Sequence, residues 1–251
     1  MYSFIIQKTK EYLDSDSAIL VESIEYQKFM GNKNYEYFIV ENVADTDNLN
    51  NVKGEKIPIG TVEFVKEFID KYELPSNNFK PIFLNNEFTR NQKVTKSLLD
   101  IENALTYNDD IFIKPFDSFK SDFSDIYGYI FTKKDIHLFE DGKKYLLSKV
   151  ETILSEYRVF VFFDEIKGIY NYSGDFTEFL NDSQLAVIKK MINSITIEKL
   201  NAYTLDIAIL ENKNIQLLEI HPFSSCGLYG FSDYSIIPQM YINAFKYLTA
   251  K

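Results

Sequence analysis

YTLDIAILENKNIQLLEIHPFSSCGLYGF, residues 203–231, is the stretch from which the fold is read. Two apolar, β-branched runs flank a polar ENKN segment at 211–214, the pattern of two antiparallel strands joined by a tight turn. Each run carries one acid, Asp206 in the first and Glu219 in the second. Carboxylates projecting from adjacent paired strands hold hard cations through oxygen ligands, and Mg²⁺ held this way usually takes nucleotide phosphates as further ligands. The plainer alternative is an ordinary hairpin with two solvated acids.

Working outward, the rest of the chain alternates short apolar runs with amphipathic ones. In the first 93 residues, Ala18–Glu22 and Tyr35–Val43 read as strands, Ser23–Met30 as a short helix, and 45–56 as a polar loop. Val62, Phe64, Val65, Phe68, Ile69 and Tyr72 share one face at helical spacing. Further on, 95–105 reads as a helix, 110–115 (DIFIKP) and 127–132 as strands, and 117–125 as a polar segment between them. Residues 145–150, 157–163 and 168–172 read as strands with a turn at 164–167. A helix capped by Ser183 runs to about Lys199, and a last helix spans about 235–249. The expected organisation is an N-terminal α/β subdomain over 1–93, a strand-rich lid over 94–173 and a metal-bearing core over 174–251.

The 251-residue chain is long enough for one or two domains with a substantial core. Its formal net charge of −10 disfavours a phosphate backbone or an anionic membrane as a partner. A single cysteine excludes an intramolecular disulfide and a cysteine-based zinc site, and fits a reducing, cytoplasmic setting. Neither a signal-peptide layout nor a run of about 18 apolar residues is present, so no membrane span is expected.

Four upstream positions can serve a nucleotide lying over the acidic hairpin. Lys114 ends a short strand just before Pro115, where an ammonium can meet a phosphate or simply be solvated. Lys120 lies in the polar segment that can fold over a ligand. Ser148, Lys149, Val150 and Glu151 form an extended stretch whose backbone can read an adenine edge. Arg158 opens the apolar run RVFVFF, and a desolvated guanidinium there needs an anion. That anion is either Glu156 or another acid in a structural pair, or a phosphate or carboxylate of a ligand. Cys226 has no well-placed base, which argues against a thiol nucleophile.

Taken in order, EYRVFV at 156–161, LDIAIL at 205–210, and LLEIHPF with GLYG at 217–230 resemble the ATP-grasp superfamily. They are most similar to its small phage- and bacteria-associated clade named for one arginine and two lysines. PIGTVEFV (58–65) and IKPFDSFKSDF (113–123) share the likeness. The resemblance implies an α+β ATP-grasp fold with an N-terminal α/β subdomain and ATP and Mg²⁺ as cofactors. It implies an ATP-dependent ligase joining a carboxylate to an amine, of a small molecule, peptide or protein, through an acyl phosphate. Lys114 and Lys120 would contact phosphates, Arg158 and Lys120 would act in transfer, and Asp206, Glu219 and His221 would hold metal. Two departures stand out. The family's Asn is His221 here, and the segment after Lys120 lacks the expected glycine. These leave an alternative, an ATP-binding regulatory or interaction module with little turnover. A third reading has the charged residues serving only surface pairs.

Overall fold

The computed structural model describes residues 1–9, 13–49, 52–80, 82–84, 87–89, 92–107, 111–116 and 129–251. The described strands fall into three sheets. The first is parallel. Its central strand β1 (Tyr2–Gln7) lies between β2 (Tyr35–Val40) and β3 (Glu55–Ile59). Phe4, Ile5 and Ile6 of β1 are fully buried, as a strand covered on both faces requires. Pro58 sits in β3, where an outer strand tolerates the missing N–H.

Helix α1 (Ser15–Phe29) corrects the reading of Ala18–Glu22 as a strand. The Asp14 carboxylate accepts the backbone N–H groups of Asp16 and Ser17 at 3.1 and 2.9 Å. This cap starts a helix that runs straight through AILVE. A short apolar run does not declare its own period, and here the cap upstream decides it. The 45–56 loop is also revised: a 3₁₀ turn covers Val43–Leu49, and β3 begins at Glu55. Helix α2 (Val62–Lys71) follows the expected face, burying Phe64, Val65, Phe68 and Ile69 behind a Thr61 cap. Each such side chain contributes about 1.5–3 kcal/mol when withdrawn from water.

The second sheet comprises β4 (Gln92–Thr95), β5 (Ile111–Pro115), β6 (Tyr129–Phe131) and β7 (Tyr145–Lys149), in the order β4-β7-β5-β6. Helix α3 (Leu98–Tyr107) covers one face, where Ile101, Leu105, Ile111, Ile113, Tyr145 and Leu147 form a separate small core. Alternation therefore turns Gln92, Phe112, Lys114, Leu146 and Ser148 to the other face.

The third sheet, in the order β11-β10-β8-β9, holds β8 (Ile153–Phe162), β9 (Glu165–Gly174), β10 (Ala202–Leu210) and β11 (Ile215–Pro222). Thus 153–174, grouped by sequence with the preceding strands, pairs with the acidic hairpin. The β8–β9 turn is Phe163–Asp164, both at positive φ (49° and 60°), rather than 164–167. Helix α4 (Asp182–Ser194) starts at Asn181, not Ser183, because Asn181 and Gln184 form a reciprocal capping box. Helix α5 (Ile237–Leu248) packs against the first and third sheets, whose apolar faces share one core. Among the described residues, no helix is long and apolar enough to cross a membrane.

Candidate active site between two sheets

The 211–214 turn forms as the sequence indicates, and its register sets the site. Asp206 lies directly opposite Glu219 on β11 and opposite Arg158 on β8. A bulge in the pairing beyond Asp206 shifts the register, so that Ile207 faces Leu217. Cross-strand partners share a face, so Arg158, Asp206 and Glu219 form one charged row. Strand β8 begins at Ile153, so Arg158 stands in mid-strand rather than at its opening.

Arg158 has found an acid, and it is Asp206 rather than Glu156. Its Nε and Nη2 each donate to one Asp206 oxygen at 2.7 Å, and Nη1 donates to the Gly227 carbonyl at 3.0 Å. Both side chains are 8% exposed. Burial opposes the guanidinium charge, yet the two bonds to Asp206 more than offset it, and the Arg158 pKa is raised. The Tyr229 and Tyr172 rings lie 4.9 and 5.7 Å from the guanidinium carbon and stack on each other. The Tyr172 hydroxyl donates to Glu156 at 2.6 Å, and burial raises its pKa far above the usual phenol value. Sequence reading missed both tyrosines. Tyr172 shares β9 with the residue facing Arg158, but bulges in the β8–β9 pairing hide its direction. Tyr229 comes from a loop.

Glu219 gathers two further groups. Lys114 reaches across from the second sheet, with Nζ 2.7 Å from one carboxylate oxygen, and His221 Nε2 lies 2.7 Å from the other. Burial works against ionisation of Glu219, but the Lys114 charge and the His221 hydrogen bond hold its pKa well below the carboxylate norm. A depressed carboxylate pKa stabilises the fold above the unfolded pKa and loses that contribution as pH falls through the folded one. The stability gap between wild type and Glu219→Gln should therefore be constant near neutrality and close below about pH 4.5, the ordinary value, in melts across pH 2–7.

Asp206, Glu219 and His221 each offer a ligand atom within 4.8 Å of the others. Two carboxylates and one imidazole at this spacing fit a single divalent cation, hard in its oxygen donors and softer in its nitrogen. Beside them opens a cleft of about 410 Å³ lined by both sheets, by 82–84 and by Thr89, with Lys114, Glu219 and His221 at its wall. Ile82 and Thr89 bridge to Ile220 and Leu217, which lays both residues along β11.

The remaining expected residues are less engaged. Ser148 lies inside the second sheet between β4 and β5, so its backbone is committed to the ladder. Lys149 is exposed, its ammonium 3.9 Å from Glu151, and Val150 and Glu151 lie beyond the end of β7. Lys120 and the 117–125 segment lie outside the described residues. Cys226 is half-buried near Arg158, and desolvation pushes its thiol up to about 12.

Two sheets facing each other across a cleft, with a carboxylate hairpin on one and a strand lysine on the other, define the ATP-grasp class of fold. The profile of the ATP-grasp domain, family 2 of the clade named for one arginine and two lysines, matches residues 88–237. That span is more than half of the chain, and the chain belongs to this family. Solved structures agree on the fold. N5-carboxyaminoimidazole synthetase from Staphylococcus aureus, complexed with ADP, superposes with a TM-score of 0.56 at 12% identity, covering 100% of this chain and 77% of that one. A RimK domain ATP-grasp protein from Sphaerobacter thermophilus gives 0.55 at 8% identity, over 96% of this chain and 99% of that one. D-alanine–D-alanine ligase from Bacillus anthracis gives 0.53 at 12%, over 99% and 98%. No curated protein matches the chain.

Proposed function

We propose that the protein is an ATP-dependent carboxylate–amine ligase working through an acyl phosphate. One observation carries the reading. Lys114 from one sheet and Arg158 from the other each meet a hairpin carboxylate, so the charged groups of both sheets gather beside one cleft, with Lys114 and Glu219 at its wall. A polyphosphate with a divalent cation suits this set, since the carboxylates turn to the cation while Lys114 and Arg158 turn to phosphate oxygens. Asp206, Glu219 and His221 would hold Mg²⁺, which would supply positive charge to neutralise phosphate oxygens. Arg158, its planar fork braced by the Tyr172–Tyr229 stack, would neutralise the transferring phosphoryl group. Lys114 would hold the phosphates from the facing sheet, and Lys120 would add charge from the polar segment. Ser148 and the 149–151 backbone would meet the adenine side. The substrate carboxylate attacks the γ-phosphorus, and ADP leaves. The amine nitrogen then attacks the acyl carbon, phosphate leaves, and a C–N bond remains. The carboxylate and amine belong to small molecules or peptides, the kinds of substrate that ligases of this fold join.

The test incubates the protein with MgATP and mixtures of amino acids and peptides, reads ADP release, and adds hydroxylamine to trap an acyl phosphate as a hydroxamate. Hydroxamate with ADP supports the ligase. MgATP binding without ADP release would support the regulatory module instead. His221 supplies a further check. His221→Asn should retain or raise turnover and His221→Ala lower it.

A further inference from the structure

Asp16 lies in the first turn of α1, yet the cap of that helix is Asp14. The Asp16 carboxylate reaches outside the helix instead and accepts the Leu228 backbone N–H at 3.2 Å, across 212 residues of sequence. The carbonyl at the other end of the same peptide, that of Gly227, accepts Arg158 Nη1 at 3.0 Å. One peptide unit is therefore held from both sides, by an anion at its N–H and by a cation at its C=O. Both charges match the peptide dipole, and hydrogen bonds in such a chain strengthen one another. Burial raises the Asp16 pKa and the Leu228 N–H pulls it back, as expected of a carboxylate partly withdrawn from water to hold one donor. The backbone around this peptide is strained. Ser225 and Tyr229 sit at positive φ, 53° and 48°, a region that non-glycine residues keep only where surrounding contacts impose it. A Cβ on Gly227 would come within 3.1 Å of the Tyr229 ring, the same ring that covers the Arg158 guanidinium.

We propose that Asp16 is a positioning residue: by holding the Leu228 N–H it fixes the 227–228 peptide with its carbonyl toward Arg158, and so aims the guanidinium at the transferring phosphoryl group. The inference rests on the role given to Arg158 above and extends it to the N-terminal subdomain. Glycine at 227 makes the peptide easy to turn over, because its backbone is little restricted. Burial of the Leu228 side chain fixes where the segment lies but not which way that peptide faces. The Asp16 hydrogen bond decides the facing, because a turned peptide would set the Leu228 N–H against a cation and the Gly227 carbonyl against an anion. Of the five guanidinium N–H groups, Asp206 takes two and Gly227 one, leaving one on each terminal nitrogen for a ligand. A fork pinned at two places has little freedom left, so its open pair is presented to a phosphoryl group already oriented.

Asp16→Ala removes the acceptor, and Asp16→Asn keeps an acceptor oxygen without the charge. Asp14→Ala removes the helix cap without removing either bond to the 227–228 peptide. Two measurements are made on each. The first is calorimetric binding of MgADP alone and of MgADP with aluminium fluoride, which stands in for the transferring phosphoryl group. Wild type should bind the fluoride complex more tightly than MgADP. Asp16→Ala should lose about tenfold of that gain with MgADP itself unchanged, the size of one well-made hydrogen bond. Asp16→Asn should recover most of the gain, and Asp14→Ala should melt earlier yet keep it in full. The second measurement is the ¹H–¹⁵N spectrum without ligand. There the Arg158 Nε–H and the Leu228 amide should shift and broaden in Asp16→Ala and stay in place in Asp14→Ala. A fluoride gain left intact in Asp16→Ala, or lost equally in Asp16→Asn, overturns the inference. So does a loss of MgADP affinity as large as that of the fluoride complex, which a merely structural role would give. A wild type that gains nothing from aluminium fluoride would remove the phosphoryl role of Arg158 instead. That result is read apart from the spectrum, in which an unmoved Arg158 Nε–H in Asp16→Ala overturns the peptide lock on its own.

Discussion

Asp206→Asn should lower the unfolding free energy by about 3–5 kcal/mol, the usual cost of leaving one member of a buried ion pair alone. The Arg158 guanidinium is 8% exposed and spends two of its donors on Asp206. An amide in place of the carboxylate offers one acceptor oxygen and no charge, so a desolvated cation loses most of its compensation. Arg158→Met should be destabilising for the complementary reason. The double change Arg158→Met with Asp206→Leu should fold better than Arg158→Met or Asp206→Leu alone, since replacing both partners removes the desolvation penalty with the attraction. Urea unfolding of wild type, Arg158→Met, Asp206→Leu and the double variant closes the cycle. A loss under about 1 kcal/mol in Asp206→Asn would mean that Arg158 is adequately satisfied by Gly227 and the two tyrosine rings.

Glu219→Gln should behave differently, folding nearly normally but losing most of its response to MgATP. Glu219 and Lys114 are each 26% exposed, so water compensates the lysine when its partner is neutralised. Glu219 also links the lysine, the histidine and the proposed cation, so its charge matters more to the ligand than to the fold. A ligand at a hundred times its dissociation constant stabilises by about 2.7 kcal/mol, a shift readily seen in a melt. Wild type should show that shift with MgATP and lose it with EDTA, whereas Glu219→Gln should show little in either case. An undiminished MgATP shift in Glu219→Gln would remove Glu219 from the cation site. Comparing the two carboxylates separates their duties, Asp206 holding the fold as well as the site and Glu219 chiefly the site.

Much of this protein is legible from local pattern. The 203–231 hairpin, the α2 face and the family likeness all depend on residue type and spacing along one short stretch, which is the information that alternation and helical periodicity carry. Asp206 and Glu219 could be paired in advance because a four-residue turn joins strands whose pairing it largely dictates. Even the direction of His221 follows from its place two residues after Glu219 on the same strand.

Other features depended on contacts distant in sequence. AILVE at 18–22 is equally apolar in a strand or a helix, and the Asp14 cap with the neighbouring sheet selects the helix. Arg158 had several acids open to it, and only the antiparallel register of β8 with β10 puts Asp206 opposite its side chain, 48 residues away. Lys114 and Glu219 are 105 residues apart, and their meeting requires two sheets to face each other across a cleft. Gln92 Oε1 and Ser148 Oγ are buried without a partner among the described residues, and this is likewise invisible along the chain, because whether a polar atom lacks a partner is a property of everything packed around it. The sequence by itself therefore determined the family, the hairpin and the residue types of the site. The tertiary structure decided which charges pair and which polar atoms stay open, since burial and partnership are set by non-local packing.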